Sequence, residues 1–197
     1  SEAFDEDPLR VLRGCQFAAR FGFAMAPTTI ERCRRLQPEL STLAVERLWE
    51  EWRKLLLLSE RPSVGLDMLQ LTQALDLFPE LTALIGVPQD PEWHPEGDVW
   101  THTKLVLDAA ALLATEEQLP DEERLILLLS AVCHDLGKPA VTVLEEGRWR
   151  SWGHEEAGVQ PAARLLARMG TPQSVVDAVL PLVRLHLQPR LLHRSRA

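Results

Sequence analysis

Residues 131–139 constrain this chain most, because they place a His–Asp pair at the end of an apolar helix. His134 and Asp135 follow a strongly apolar run, and a glycine and a proline then end the predicted helix. An imidazole beside a carboxylate is a ligand pair that suits a divalent cation such as Mg, Mn, Fe, Ni or Co. Lys138 adds a positive charge that is available to a phosphate. The stretch therefore predicts a cation site suited to phosphate chemistry.

Three further histidines lie on either side of this pair. His102 stands near the start of a predicted helix, His154 follows a short hairpin, and His186 lies late in the last helix. The order of these residues resembles that of the HD superfamily of metal-dependent phosphohydrolases. We expect His102, His134 and Asp135 to converge on one divalent cation, with His154 or His186 completing the shell or binding a second ion. A lone histidine on an apolar face is more often a core residue, and that alternative applies to His186.

Composition and charge limit the class of protein. The 197 residues allow one large or two small domains. The net charge of -8 argues against strong nucleic-acid binding by the chain as a whole. The charge is uneven, however, with nine Lys/Arg against ten Asp/Glu in residues 1–60, eight against nineteen in 61–183, and four against none in 184–197. The acidity is therefore concentrated in the middle of the chain.

The cysteines and the apolar segments indicate the compartment. The three cysteines are far apart in sequence and form neither a zinc-ligand spacing nor an evident disulfide framework. We found no signal peptide and no apolar run long enough to span a bilayer. These observations predict a protein of the reducing cytoplasm with no membrane partner.

The hydrophobic pattern predicts an all-α fold with one small β-hairpin. A cluster of three prolines and four acids at 88–98 predicts a linker that limited proteolysis should cut first. We therefore expect a helical neck and body in 1–87 and an HD-type helical bundle in 88–197. The hairpin is predicted at 141–150 around a Glu-Gly turn. Helices are predicted at about 8–21, 28–36, 43–58, after Pro62 through Leu75, from Pro79, and at 99–114, 121–135, 155–169 and 172–187.

The opening helix holds a second group of charged residues. Glu6 and Asp7 lie four and three residues before Arg10, so all three share one helical face. A carboxylate beside a guanidinium can read the edge of a nucleobase by paired hydrogen bonds. The alternative is ordinary stabilisation of a helix N-terminus by acids. We expect Asp7 and Arg10 to be exposed, and Phe17 and Phe21 to face the core.

Three segments together resemble the class II tRNA nucleotidyltransferase and poly(A) polymerase family. Residues 4–23 look like the family's E-D-x-x-R segment and the R-F segment after it, and residues 45–56 resemble its next neck helix. Residues 94–103 resemble the entry to the HD domain that many bacterial members carry. The resemblance implies an all-α neck and body, with a base recognised by Asp7 and Arg10. It also implies an HD domain with metal-dependent phosphatase or cyclic phosphodiesterase activity, and RNA 3′ ends and nucleotides as partners.

This sequence departs from the family pattern in places that matter for activity. The polymerase head, which bears the D-x-D site for two metal ions, would precede these segments, so we do not expect this chain alone to add nucleotides. A typical HD site also takes a final Asp from a later helix, and Asp177 is poorly placed relative to His186. We therefore expect an HD region that is truncated at its C-terminus. Gln16 stands where the family often has Arg.

Three functions are compatible with these patterns. The first is a phosphohydrolase, in which a divalent ion polarises a phosphoryl oxygen and acidifies water. Asp135 would then bridge ion and water or act as a general base, and Lys138 would stabilise charge on the phosphate. The family resemblance implies phosphate esters at nucleotide or RNA ends, such as 2′,3′-cyclic or 2′-phosphates. The alternatives are a base-selecting and RNA-holding part of a polymerase with a silent HD fold, and a structural remnant with neither activity.

Overall fold

The computed structural model describes residues 6–188, so the predicted domain ends at 1–5 and 189–197 lie outside the described residues. Within that range the fold is all-α with one small hairpin, as the sequence predicts. The α-helices are α1 (Leu9–Phe21), α2 (Pro27–Leu36), α3 (Val45–Leu58), α4 (Ser63–Leu71), α5 (Pro79–Thr82), α6 (Val99–Glu116), α7 (Asp121–Cys133), α8 (Lys138–Val141), α9 (His154–Ala157), α10 (Val159–Met169) and α11 (Gln173–Leu185). Short 3-10 helices cover Gln37–Thr42 and Ala74–Leu77.

Helix α1 packs against α3 and α4 through one face. Its fully or nearly buried side chains recur at three- and four-residue spacing, as in Leu12, Cys15 and Ala19. The prediction that Phe17 and Phe21 face the core is wrong, because these rings are 42% and 49% exposed. At 100° per residue, positions 17 and 21 fall on the side of the helix opposite the buried stripe.

The segment between α5 and α6 contains turns and no helix runs through it. Asp98 ends this segment and caps α6, because its Oδ1 accepts a hydrogen bond from the Thr101 amide at 2.9 Å. Its other oxygen accepts from the Gly86 amide at 2.7 Å. One carboxylate therefore fixes both the start of α6 and the turn that precedes it.

In the second half of the chain, helices α6 and α7 pack against each other along their lengths, and α11 packs on α7. The connection from Glu117 to Pro120 is short, so α6 and α7 run antiparallel. The start of α6 therefore lies beside the end of α7. Between α8 and α9, strands β1 (Val143–Glu145) and β2 (Arg148–Arg150) pair antiparallel. Glu146 and Gly147 both have positive φ, as a two-residue hairpin turn requires.

One hydrophobic core includes buried side chains from α1 to α7 and from α10 and α11. Helix α3 packs on α7 and α10, and α4 packs on α6, so this core crosses the boundary predicted near residue 88. Trp100 Nε1 also donates to Gln70 Oε1 at 2.9 Å, and Arg168 pairs with Glu80 at 3.2 Å. The boundary itself stays a prediction.

The three cysteines are free and buried. Burial raises the pKa of Cys15 and of Cys133 to about 12. Across residues 6–188, no helix combines the length and the apolar character needed to cross a bilayer.

Candidate metal centre

Four imidazoles and one carboxylate meet where four helical elements end or begin. His102 comes from the first turn of α6, His134 follows the end of α7, His154 opens α9, and His186 follows α11. Ring centroids are 5.4 Å apart for His102–His134 and for His134–His186, and 5.1 Å apart for His154–His186. Asp135 lies among them with 1% of its surface exposed. The structure thus brings together all five residues that the sequence predicts as ligands.

Asp135 directs its two oxygens to different neighbours. Its Oδ1 lies 3.2 Å from His154 Nε2. Its Oδ2 lies 3.1 Å from His134 Nε2, 2.8 Å from Lys138 Nζ and 3.8 Å from His102 Nε2. Burial alone would raise the pKa of Asp135, but the charge and hydrogen bonds of these neighbours, His134 first, hold it well below its usual range. The carboxylate is therefore ionised, which is the form that can bind a cation.

Three of the imidazoles have their tautomer fixed by the backbone. His134, His154 and His186 each place Nδ1 at 2.7–2.8 Å from the carbonyl oxygen three residues earlier. A carbonyl only accepts, so each Nδ1 carries a proton and each Nε2 points to the centre, where it presents a lone pair whenever the ring is neutral. The Nε2 atoms of His154 and His186 face each other at 3.2 Å, so two lone pairs meet there when both rings are neutral.

This donor set fits a divalent cation. The His154 and His186 lone pairs repel unless a proton or an ion lies between them, and Asp135 Oδ2 is buried without a hydrogen bond of good geometry. Burial lowers the pKa of His102 and of His186, which favours the neutral, ligating form. Within 6–188, two groups of close ligand atoms share Asp135: one with His102 and His134, and one with His154 and His186.

The segment before α6 adds residues that the sequence did not single out as ligands. Glu96 Oε1 lies 2.6 Å from His102 Nδ1 and 3.0 Å from His94 Nδ1. Burial would raise the pKa of Glu96, but hydrogen bonds from the backbone and from both imidazoles hold it at about 2. Gln89 Oε1 accepts from Lys138 Nζ at 2.7 Å. In the sequence, the only signal for Glu96 and His94 as site residues was the cluster of His and Glu just before the start of α6.

Lys138 and Asp177 have clear positions relative to the centre. Lys138 is 7% exposed, and its ammonium group forms an ion pair with Asp135 and donates a hydrogen bond to Gln89. Asp177 is exposed on α11, where its Oδ1 accepts from Gln173 Nε2 at 2.8 Å. Asp177 therefore does not supply the later carboxylate of a typical HD site, in line with its predicted poor placement.

The charged residues of the opening helix are paired with one another and with α3. Arg10 bonds Glu6 at 3.1 Å, and Arg47 bonds Asp7 at 2.7 Å. Burial raises the pKa of Asp7, but the hydrogen bond and charge of Arg47 outweigh it and lower that pKa. Asp7 and Arg10 are half-buried, and not exposed as predicted. The sequence-based prediction did not include Arg47, which fixes the direction of the Asp7 carboxylate.

Two family models match the chain. Residues 22–85 match the model described as the probable RNA and SrmB-binding site of polymerase A, and residues 99–194 match the HD domain. The multifunctional CCA protein of Pasteurella multocida is 46% identical over 183 residues, covering 90% of this chain and 42% of that protein. This chain thus carries an RNA-binding region of the polymerase A type and an HD region, and it is similar to a multifunctional CCA protein over 90% of its length. The resemblance to the tRNA nucleotidyltransferase and poly(A) polymerase family is therefore confirmed.

Two further relatives give matches of similar identity and extent. The multifunctional CCA proteins of Shewanella frigidimarina and Halorhodospira halophila are each 41% identical, over 187 and 193 residues. Those matches cover 91% and 95% of this chain, but 42% and 44% of the relatives. This chain thus spans less than half the length of the relatives it matches. Its HD region places the candidate metal centre in a domain class that binds divalent ions.

Proposed function

We propose that this chain carries an HD-type, metal-dependent phosphohydrolase that acts on phosphate esters at nucleotide or RNA ends. The observation that carries the proposal is the orientation of the imidazoles. His134, His154 and His186 all present Nε2 to Asp135 because the backbone occupies their Nδ1 atoms. The chemistry follows the HD match, and the RNA partner follows the match of residues 22–85 to an RNA-binding region.

The two groups that share Asp135 support sites for two ions. His102 and His134 would hold one ion with Asp135 Oδ2, and His154 and His186 would hold another with Oδ1. Divalent ions such as Mn, Ni, Co, Fe or Mg would polarise a phosphoryl oxygen and acidify a nearby water there. Lys138 balances the buried charge of Asp135, and its ammonium group, 2.8 Å from that carboxylate, would stabilise charge on a phosphate bound beside it.

We also propose that Asp7 and Arg10 contact a nucleobase in the whole protein, with Glu6 holding Arg10. The Arg47–Asp7 pair supports this role, because it fixes one Asp7 oxygen while the other accepts from the Leu9 amide at 3.2 Å. In a full-length protein, Arg10→Ala should alter the choice of nucleotide more than it alters folding. Unchanged incorporation of correct and wrong nucleotides would contradict this role.

Hydrolysis is tested on this chain with a chromogenic phosphate monoester, a phosphodiester and a 2′,3′-cyclic nucleotide. We expect turnover with added Mn, Ni, Co or Mg that stops on addition of a chelator. His134→Ala and Asp135→Ala should abolish it, because each removes a donor from the shared centre. Asp177→Ala is the matched control, since it removes an exposed carboxylate outside both ligand groups. Activity that ignores the chelator and survives both substitutions would refute the proposal.

A further inference from the structure

One carboxylate lies behind His102, on the side away from Asp135. Glu96 Oε1 is 2.6 Å from His102 Nδ1, while His102 Nε2 is 3.8 Å from Asp135 Oδ2. We propose that Glu96 is a positioning residue, which fixes the tautomer and ring direction of His102 for cation binding, and that His94 holds Glu96 from its other side. This inference rests on the proposed metal-dependent function.

His102 needs such a partner because its surroundings differ from those of the other imidazoles. His134, His154 and His186 use a backbone carbonyl three residues earlier. His102 lies in the first turn of α6, and its Nδ1 partner is the side chain of Glu96. A carboxylate is a stronger acceptor than a carbonyl and makes the opposite ring nitrogen a better electron donor.

The segment that carries Glu96 is anchored to the centre at several points. His94 donates to the same Glu96 oxygen, and its ring packs edge-on against His102 with centroids 4.6 Å apart. Gln89 bonds Lys138 at 2.7 Å. Asp90, which is 8% exposed, accepts from Arg148 of β2 at 2.9 Å. These contacts hold the 88–98 segment as one wall of the metal centre.

The residues that position His102 could alternatively bind an ion directly. His94, Glu96 and His102 place ligand atoms close enough to hold an ion themselves. His102 would then bind that ion through Nδ1 and lose its hydrogen bond to Glu96. The 2.6 Å separation is typical of a charge-assisted hydrogen bond, which favours the positioning role.

The test is a Co²⁺ titration of this chain followed by visible absorption, whose intensity reports coordination geometry. Glu96→Ala should weaken Co²⁺ binding about tenfold or more and change the spectrum. Glu96→Gln should retain part of the affinity, because its amide oxygen can still accept from His102. Glu92→Ala is the control: it removes an exposed carboxylate from the same segment, where that carboxylate pairs with Arg148.

Unfolding in the presence of chelator shows whether each metal-free variant is folded. If Glu96→Ala does not fold, Glu96→Gln carries the comparison. Equal Co²⁺ affinity in the Glu96 and Glu92 variants overturns the positioning role. Loss of one whole equivalent of Co²⁺ also overturns it, because Glu96 would then be a direct ligand. A wild-type chain that binds no Co²⁺ would instead overturn the proposed function.

An independent observation concerns the exposed face of α1. Phe17, Phe21 and Phe23 are 42%, 49% and 64% exposed, and consecutive rings have centroids 5.6 Å apart. The Arg20 guanidinium lies 4.9 Å from the centre of the Phe21 ring. These four residues form what we call the aromatic surface.

Charge indicates the kind of partner that this surface fits. Residues 8–30 contain no Asp or Glu although the chain carries a net charge of -8, and residues 8–35 contain six arginines against one acid. Phe17 and Phe21 follow Arg10 by seven and eleven residues, so all three lie on one helical face within about 16 Å. Exposed rings within a basic region are typical of sites where single-stranded bases stack.

We also propose that the aromatic surface binds single-stranded RNA by stacking of bases on its rings. The test measures binding of a fluorescent oligoribonucleotide to this chain by anisotropy. Phe17→Ala and Phe21→Ala should each weaken binding at least fivefold, and Phe21→Tyr should not. Arg20→Gln should reduce the salt dependence of binding. Leu112→Ala, which truncates a 60% exposed side chain of α6, is the control.

Binding of the Phe→Ala variants that matches wild type would overturn this second inference. Self-association of the wild-type chain that Phe21→Ala abolishes, without an effect on RNA affinity, would also overturn it, because the surface would then be a protein interface.

Discussion

Replacing Gly137 with alanine should disrupt the candidate metal centre, although Gly137 contributes no side chain to it. A Cβ on Gly137 would lie within 3 Å of three backbone atoms of the following segment, including 2.6 Å from Gly158 N and 2.9 Å from His154 C. The His154 carbonyl oxygen, which accepts from the Gly158 amide at 2.8 Å, would be closer still. Because these are backbone atoms, no side-chain rotation relieves the contact.

The displacement can be worked out from these distances. Ordinary contact begins at 3.4 Å, so Gly158 N must move by 0.8 Å (3.4 minus 2.6) and the His154 carbonyl by more. His154 Nε2 is 3.2 Å from Asp135 Oδ1, and a backbone shift of this size would move these two potential ligand atoms apart. Overpacking of this kind costs about 1–3 kcal/mol of unfolding free energy.

Urea unfolding and Co²⁺ titration measure the two effects separately. We expect Gly137→Ala to lower the unfolding free energy by about 1–3 kcal/mol and to weaken Co²⁺ binding. Gly14→Ala is the matched control, because its Cβ would meet only the flexible end of Met25 within a helix. That control should be neutral or stabilising by up to about 1 kcal/mol. A Gly137→Ala chain with unchanged stability and unchanged Co²⁺ affinity would refute the reasoning.

Three further predictions concern stability. Gln16 is 1% exposed with neither amide atom hydrogen-bonded, so Gln16→Met should raise the urea-unfolding free energy by about 1–3 kcal/mol; no gain would contradict this. Burial raises the pKa of Asp98, but hydrogen bonds from Thr101 and Gly86 outweigh it and lower that pKa below 3.8. The stabilisation by the Asp98 charge is therefore complete above pH 3.8 and is lost as the pH falls through the lower pKa of the folded state. Asp98→Asn should thus lower the unfolding free energy at neutral pH and match wild type in strong acid. An equal loss of unfolding free energy at both pH values would argue against this reasoning. Phe78→Ala should cost about 3–5 kcal/mol in the same denaturation, because its ring is fully buried.

The meeting of His102 and His134 could be predicted because it depends on regular helices. The apolar periodicity locates α6 and α7, and the short connection between them makes them antiparallel. Once those two facts are known, the start of one helix must lie beside the end of the other. The hairpin was equally accessible, because alternating residues on both sides of Gly147 predict two short strands and Gly147 readily adopts the positive φ of the turn.

Other features could not be read from the sequence because they depend on segments without periodicity. Glu96 and Gln89 reach the metal centre from turns whose path depends on Asp98 and on contacts with β2. The exposure of Phe17 shows a different difficulty. Both faces of α1 carry apolar residues, and only the packing of α3 and α4 decides which face is buried.

The continuous core also links ion binding to the stability of the opening helix against unfolding. A ligand that binds only the folded chain raises the unfolding free energy by RT ln(1 + [L]/Kd), which is about 2.7 kcal/mol at a hundred times Kd. Since α1 packs on α3 and α3 packs on α7, an ion held at Asp135 adds that energy to the whole unit and not to α7 alone. The supply of divalent cation would then set how long Asp7 and Arg10 keep their arrangement under heat or protease, although neither residue touches the ion.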